Sequence, residues 1–540
     1  MKGETMHDGN GAGGAPGFVL ESGLRLSQSM LWDLQRRFFE QQGIEAWRRG
    51  AVPLYITSNP FIAGAYAAVV MGYLEDCQAA GASDEPVYIV ELGAGSGRFA
   101  YLFLKKLLAL HRRPGARAAP FVYVMTDLAA RNLAHAQAHP SLQPFCDEGV
   151  LDFARFDAEH DDAITLVRSG VVLTAGAFLR PLVVIANYVF DSIPQDAFRI
   201  HEGRLYESSI TLVSKDAEPD TRDPTLITRV TLDYDHRPAP ADPYDDPLLN
   251  DILHAYTARL GTTSIRFPIA ALRCCRTLAR IAGGRLLLLS ADRGSIHEDQ
   301  LRGHGEAGIS VHGSFSLSVD YHAVAECFRG QGGFALHTAH EAASLIVAAF
   351  FLGAPEEGCP AARRAFADAV ERFGPDDFFS LKKGIEKGYD ALTLPQLLAF
   401  LRLADGDPRI LSQCLHVLIE RARSASMADE QEIQRAVARA WEHYYHLGEE
   451  PDLPFGLGML LYEMGCHRDA LTYFERSFEL YGASPHTIFN MGMCHYELGE
   501  MDDALACARR VLALDPLHDG ALAMRAELER AWDRAVDIAE

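Results

Sequence analysis

Three glycines follow an apolar run in Val87-Tyr-Ile-Val-Glu91-Leu-Gly93-Ala-Gly95-Ser-Gly97-Arg98. A buried strand that enters a glycine turn and then a helix lets backbone approach a ligand. It does so at the carboxyl end of the strand, in the crevice where open α/β sheets bind cofactors. The spacing is G-x-G-x-G, with Arg98 where a dinucleotide fingerprint places its last glycine, which argues against a nicotinamide dinucleotide. Glu91, just before the loop, suits a ligand with a cationic amino group, as S-adenosyl-L-methionine has. Asp127 closes the next apolar run and can accept from both hydroxyls of a ribose. Asp157, in Ala154-Arg-Phe-Asp157, is expected at the end of the following strand, where an adenine amino group could donate to it. The competing reading makes Asp127 and Asp157 caps of helices or turns. Asn187 and Asp191 come after five apolar residues at 182–186 and should emerge at the top of a sheet, with a strand end plus helix cap as the plainer alternative.

These residues need a scaffold of alternating elements. Short apolar runs at 87–92, 121–126, 182–186 and 285–290 are bounded by Gly, Pro, Asp or Asn. Helical patterns at 98–111 and 127–139 lie between several of them, and such alternation implies a parallel sheet covered on both faces. Ahead of it, residues 1–25 are Gly-rich and without periodicity, and read as a loose tail. Residues 26–85 form a helical segment, with Leu31, Leu34, Phe38 and Phe39 on one face and a second helical run from Pro60. Residues 215–248 are rich in Asp and Pro and read as a surface insertion. The α/β domain spans 86–355, and a helical linker region spans 356–445.

Residues 446–540 hold a repeat. A shift of 34 residues superposes Gly458 on Gly492, Tyr462 on Tyr496, Gly465 on Gly499, Ala470 on Ala504 and Leu480 on Leu514. That period, with small residues at helix crossings, is the tetratricopeptide pattern. Residues 519–535 read as a terminal capping helix.

The chain has 540 residues, 48% apolar and 23% charged, which excludes a largely disordered protein. Fifty basic residues against 73 acidic ones give −23, so a general grip on nucleic acid or anionic lipid is not expected. About half of that excess, −12, lies in residues 441–540. Ten cysteines without a C-x-x-C pair read as reduced core thiols. Neither a secretory signal nor a membrane-spanning run is present, so the default is a cytoplasmic protein. His337 with His340, and His443 with His446, lack acidic partners at ligand spacing, so no metal is expected. His297, His304 and His312 lie in a Gly-rich stretch read as a mobile loop, with His312 the best placed of them. A serine-hydrolase elbow is absent.

With these residues in hand, the chain resembles the MidA-type class I S-adenosylmethionine-dependent methyltransferases, which include mitochondrial complex I assembly arginine methyltransferases. Four blocks carry the likeness: Tyr55-Ile-Thr-Ser58, the 91–97 loop, 187–194, and the late segment around Asp292 and 312–321. The family's Asn-Glu-(apolar)₂-Asp-Ala-Leu-Pro is matched at Asn187, Asp191 and Pro194. Its Asp-Tyr-Gly is matched by Asp292-Arg293-Gly294. Its Asp-Ile-Thr-Ala-His-Val-Asp-Phe is echoed from Ser314 to Tyr321. Tyr188, Ser314 and Ser318 stand where the family has Glu, Asp and His. The resemblance implies a Rossmann-like α/β methyltransferase domain joined here to an all-α tetratricopeptide-type C-terminal domain. It also implies S-adenosyl-L-methionine as cofactor, with the loop after the fourth strand beside the transferring methyl group.

The three departures all fall on polar groups nearest the acceptor. An arginine acceptor is held by carboxylates in a fixed fork, so these losses weaken the arginine reading and leave the cofactor reading intact. Either the acceptor differs, or Asp191, Asp196 and Asp320 serve instead, or catalysis has been lost. The leading expectation is methyl transfer to a nitrogen of a protein or peptide side chain, with Asn187 and Asp191 positioning the acceptor. Glu91, Gly93, Gly95, Gly97, Asp127 and Asp157 are expected to hold the cofactor. A small-molecule methyltransferase and an inactive cofactor-binding assembly factor are the alternatives. The acidic repeats suggest a protein partner with a basic segment; homodimerisation is the other use open to them.

Overall fold

The computed structural model describes residues 17–81, 83–177, 180–306 and 308–539. It divides into two compact units. The first takes residues up to 54, 72–95 and 117–364; the second takes 55–71, 96–116 and 365 onward. The division is therefore not linear along the chain. The boundary expected near 355 falls at Arg364, and the helix Arg98–His111 is grouped with the helical unit rather than with the sheet that precedes it.

The first unit is built on a seven-stranded sheet. Its order is Phe334–His337, Ile346–Leu352, Leu286–Asp292, Leu182–Asn187, Val87–Leu92, Phe121–Asp127 and Leu151–Arg155. The last five are mutually parallel, and Ile346–Leu352 runs antiparallel between its two neighbours. Val87–Leu92 is buried along its whole length, as a central parallel strand must be. Its flanking partners are Phe121–Asp127 on one side and Leu182–Asn187 on the other, so the strand order reverses at the glycine loop. On one face, Val90, Val184 and Leu288 pack against Leu253, Leu272 and Val324 of the helices Pro247–Arg259, Ile269–Ile281 and Tyr321–Gly330.

A second, antiparallel sheet corrects two expectations. Residues 1–16 of the expected tail lie outside the described residues, but Phe18–Arg25 is a strand paired with Arg204–Ser214. Within the expected surface insertion, Val230–Pro238 pairs with the same strand from Val230↔Ser214 to Pro238↔Tyr206. The Asp and Pro clusters mark only the flanks of 215–248. Between them Val230, Leu232, Tyr234 and His236 alternate with Thr231, Asp233, Asp235 and Arg237, a period of two that makes a half-buried strand. Asp196–His201 and Thr263–Phe267 complete this sheet.

The helix Met30–Gln42 starts where Ser29 Oγ accepts from Leu31 N. It buries Leu31, Trp32 and Leu34 against Ala197, Ile210 and Leu212 of the second sheet. The short helix Glu45–Arg48 follows the turn at Gly43.

The second unit has one continuous apolar core, from Phe378 through Leu411, Val417, Leu457 and Phe474 to Ala521. The expected linker is thus part of the same packed helical body as the repeats, because Leu397, Leu401 and Ile433 face inward like the repeat residues. The repeat helices are Leu453–Glu463, His467–Tyr481, Pro485–Glu497, Met501–Leu514 and Asp519–Ala539. A Cβ on Gly458 would come 2.7 Å from the Phe474 ring, and one on Gly492 would come 3.0 Å from Cys507 Cβ. Gly458 and Gly492 are thus places where helices touch, whereas Gly465 and Gly499 keep the period for their turns, at φ of 73° and 77° with open space around them. Among the described residues no helix is long and apolar enough to cross a membrane.

Candidate active site

Leu92 hands the chain to a turn in which Gly93, Gly95 and Gly97 have φ of 60°, 55° and 78°. Side chains are disfavoured in that region. Space is also short at two of them: a Cβ on Gly93 would meet Val189 Cγ2 at 3.2 Å, and one on Gly95 would meet Trp47 Cζ2 at 2.9 Å. The turn is fastened to the second strand. Ala94 N donates to the Thr126 carbonyl at 2.8 Å, and Gly95 N donates to Asp127 Oδ2 at 2.9 Å.

A cavity opens beside this turn within the first unit. Gly93, Asp127 and Asp157 line it; Glu91, Gly95, Asn187 and Asp191 do not, and Gly97 belongs with the second unit. Trp32, Arg36, Phe39 and Trp47, from the helices before the sheet, form a wall that the sequence reading missed. The helical pattern puts Phe38 and Phe39 on one face. In the structure Phe38 is buried, whereas Phe39 lines the cavity and stacks on Trp47 at 5.9 Å.

The acids differ in what they already hold. Asp127 Oδ1 accepts from Ala129 N at 2.8 Å and from Asn132 Nδ2 at 3.2 Å, in addition to Gly95 N on Oδ2. Burial raises its pKa against these donors. It is both a cap and a cavity wall, and of the roughly four acceptor positions of a carboxylate one remains. Asp157 is fully committed: Arg36 donates to both oxygens at 2.7 and 3.1 Å, Glu159 N at 2.9 Å, and His160 Nδ1 lies 3.0 Å away. Burial pushes the Asp157 carboxyl up, but Arg36 and these hydrogen bonds outweigh it and hold it well below the ordinary carboxylate range. Glu91 lies buried beside the Tyr123 hydroxyl, and its Oε2 accepts no hydrogen bond among the described residues. Burial pushes it up to about 8.

The opposite side of the cavity is the chain after Leu182–Asn187. Tyr188 has φ of 55°, and its N donates to the Ala291 carbonyl at 2.9 Å. Tyr188, Val189, Ser192, Ile193 and Pro194 face the cavity. Asp191 is buried against Asp292 instead. Phe190 N donates to Asp292 Oδ2 at 3.1 Å, and Ser192 Oγ donates to Asp191 Oδ1 at 2.7 Å. Burial raises both carboxyls, Asp292 the further, because the Asp191 charge adds to its burial. Two carboxyls in contact share a proton. The other proposed substitutes are occupied elsewhere. Asp196 accepts from the Tyr244 hydroxyl at 2.7 Å, and Asp320 caps the helix Tyr321–Gly330 through Ala323 N at 2.9 Å. Neither lines the cavity. The side chain of His312 lies outside the described residues.

The pattern of the family described as "Putative S-adenosyl-L-methionine-dependent methyltransferase" matches residues 69–338, half of the chain. The protein belongs to that family. It is an S-adenosyl-L-methionine-dependent methyltransferase, and residues 453–516 match the tetratricopeptide repeat. Among solved structures, an uncharacterised protein from Burkholderia thailandensis is 15% identical, covers 59% of this chain and 82% of its own, and superposes with a TM-score of 0.32. Magnesium protoporphyrin IX methyltransferase from Synechocystis, solved with its cofactor, is 10% identical, covers 60% and 97%, and gives 0.28. No curated protein matches the sequence.

The residues present fit the methyltransferase cofactor. Gly93 leaves backbone bare at the cavity wall, where a Cβ would intrude as far as Val189 Cγ2 at 3.2 Å. Glu91 supplies a buried acceptor atom with no hydrogen-bond donor, and Leu128, Phe156 and Ile193 supply apolar wall for a base. Asp157 fits least well, since an adenine amino group would have to displace one of its present donors.

Proposed function

We propose that this methyltransferase acts on a nitrogen of a protein or peptide side chain, arginine included, and that the C-terminal repeats recruit the partner. The observation that carries the reading is the pairing, in one chain, of the glycine-turn cavity with a packed tetratricopeptide body. Repeats of this kind offer an extended surface for a peptide or helix, and tethering raises the partner's effective concentration at the site. The net −12 of residues 441–540 favours a partner with a basic segment. Self-association is the competing use of the same surface.

The cofactor supplies an electrophilic methyl group, and the protein's task is alignment and exclusion of water. The backbone of Gly93 lets the ligand lie close, the last free position on Asp127 takes a ribose hydroxyl, and Glu91, buried behind the wall residue Leu92, takes the amino cation once the turn admits it. Asn187 does not face the cavity and acts on the acceptor through its neighbour Tyr188, which does. Asp191 acts through the loop: with Asp292 it fixes residues 188–194, which form the cavity wall. Tyr188 replaces a carboxylate there, so the acceptor is held with less negative charge than the family pattern provides. The aromatic wall of Trp32, Phe39 and Trp47 favours a second reading, a small planar acceptor.

Incubation of the protein with methyl-labelled cofactor and lysate from its own cells separates the readings. Label in a protein band supports the first, and loss of that label on deleting residues 451–540 supports recruitment by the repeats. Label confined to small molecules would replace it with the second reading. No label at all would leave a cofactor-binding protein without turnover.

A further inference from the structure

The antiparallel sheet holds a cavity of its own, about 130 Å³, that shares no lining residue with the glycine-turn cavity. Its walls come from Asp196–His201, Arg204–Ser214, Val230–Pro238 and Thr263–Phe267, with His304, Gly305 and Glu306 across the opening. The pairing register fixes which side chains share it. Arg266 pairs with Ala197, Ser264 with Arg199, and His236 with Ser208, so these residues lie on one face of the sheet. Further along that face, Ala197, Ile210 and Tyr234 pack into an apolar cluster. The polar end of an otherwise apolar face therefore contains a guanidinium.

Among the described residues that guanidinium has neither an ion pair nor a hydrogen bond. Burial lowers the Arg266 pKa; Tyr234 and Asp320 act on it only through space. A half-buried cation with no protein partner is left to water or to a ligand, and guanidinium cannot shed its charge by losing its proton. One further donor on the wall is free. Ser264 Oγ accepts at 3.5 Å from Arg199 Nη1, which leaves its own proton to give. The one carboxylate on the rim, Glu306, is half exposed and already lies 3.0 Å from His236 Nε2, and His236 Nδ1 is 2.9 Å from Ser208 Oγ. His304 Nε2 contacts the Gln300 carbonyl. Cavities of about 150 Å³ admit a molecule the size of benzene, so this one has room for a carboxylate or phosphate group.

We propose that this cavity binds a small oxyanion, a carboxylate or a phosphate group, gripped by the Arg266 fork with Ser264 as a second donor. A planar guanidinium matches either group with two parallel hydrogen bonds. The site is independent of the methyl-transfer reading, since none of its residues belongs to the glycine-turn cavity.

Isothermal titration of the full-length protein with inorganic phosphate, and separately with acetate, tests the idea at constant ionic strength balanced by chloride. One of the two should bind at a single saturable site, and the arm that does so identifies the group. Arg266→Gln should weaken it by about tenfold or more, the usual consequence of losing a charged hydrogen-bond partner. Arg266→Lys, which keeps the charge and loses the fork, should fall in between. If Arg266→Gln melts well below the wild type, Ser264→Ala carries the same test, with an expected loss of roughly threefold to tenfold. Equal affinity in wild type and Arg266→Gln, or no binding of either anion beyond chloride, overturns the proposal.

Discussion

The two sides of the glycine-turn cavity are held by different physics. On the cofactor side, Asp127 is satisfied by backbone N–H groups of Gly95 and Ala129 and by one nearby amide. Gly95 N belongs to the turn itself and Ala129 N to the chain just after Asp127, so two of the three donors are backbone. On the acceptor side, Asp191 meets Asp292, a residue of another strand, and both carboxyls are raised by burial. The first arrangement is rigid and local; the second depends on a shared proton between residues about a hundred positions apart in sequence. A wall anchored by backbone tolerates change in its neighbours, whereas a wall anchored by a pair of side chains responds to single substitutions.

The largest effect is therefore expected at Asp127. Asp127→Ala leaves the Gly95 and Ala129 N–H groups and the Asn132 amide without their acceptor. Each buried donor left unmade costs about 1–3 kcal/mol. The variant should lose about 3 kcal/mol of stability and about a hundredfold in cofactor affinity, read by thermal melting and isothermal titration. Affinity within a few-fold of wild type would mean that the turn holds without its anchor.

Glu91 comes next, with an effect that depends on pH. Burial pushes it up to about 8, so near neutrality it is mostly uncharged in the free protein. An amino cation placed beside it favours ionisation, and binding should then release a proton. Apparent affinity should rise with pH, by at most about tenfold per unit, until Glu91 and the ligand's own α-amino group titrate near 8. The sign for folding is opposite. A carboxyl raised above its unfolded value stabilises below about 4.5, and that contribution is lost as pH rises through about 8. Titrations in buffers of different ionisation heat measure the proton. Glu91→Gln should abolish its release and flatten the rise; proton release unchanged in that variant would place the amino group elsewhere.

These contrasts also explain what the sequence disclosed. The strand Val87–Leu92 and the helix Arg98–His111 appear at the residues expected, because an apolar run and a glycine turn encode themselves locally. The 34-residue period was equally plain, since Gly458 and Gly492 each sit where a neighbouring helix leaves no room for a side chain. Arg36, Trp47 and the Asp191–Asp292 contact were not legible. Each arises where segments remote in sequence are brought together by the fold, and a basic or aromatic residue on an amphipathic helix carries no mark of which strand end it will meet. The strand Val230–Pro238 was hidden differently: its alternation is present, but the Asp and Pro clusters on either side outweighed it.

A smaller, pH-dependent effect is expected at Asp191. Its raised carboxyl contributes stability below the ordinary aspartate range, and the contribution falls away as pH rises through about 6. Asp191→Asn cannot ionise and should lose this decline. The wild-type melting temperature should drop relative to that of the variant by roughly a few degrees across this interval. Parallel curves would show that the pair carries no net charge change on folding, and that the acceptor side is held as passively as the cofactor side.

The smallest effect is expected at Asp157, and it sharpens the comparison within the cofactor side. Asp127 and Asp157 both line the cavity, yet Asp127 keeps one acceptor position and Asp157 keeps none. Because Arg36 holds the Asp157 carboxyl below the ordinary range, it stays ionised above that range and adds no pH dependence near neutrality. Asp157→Asn should cost stability by about 1 kcal/mol through the weakened Arg36 pair, while cofactor affinity stays within about threefold. Arg36→Ala supplies the counterpart: with the guanidinium gone, Asp157 becomes free to accept an adenine amino group, and affinity should hold or rise. A loss of about tenfold in Asp157→Asn that Arg36→Ala does not reproduce would show that the ion pair opens when the cofactor binds. The helix Met30–Gln42 would then be a wall that moves with the ligand rather than one that waits for it.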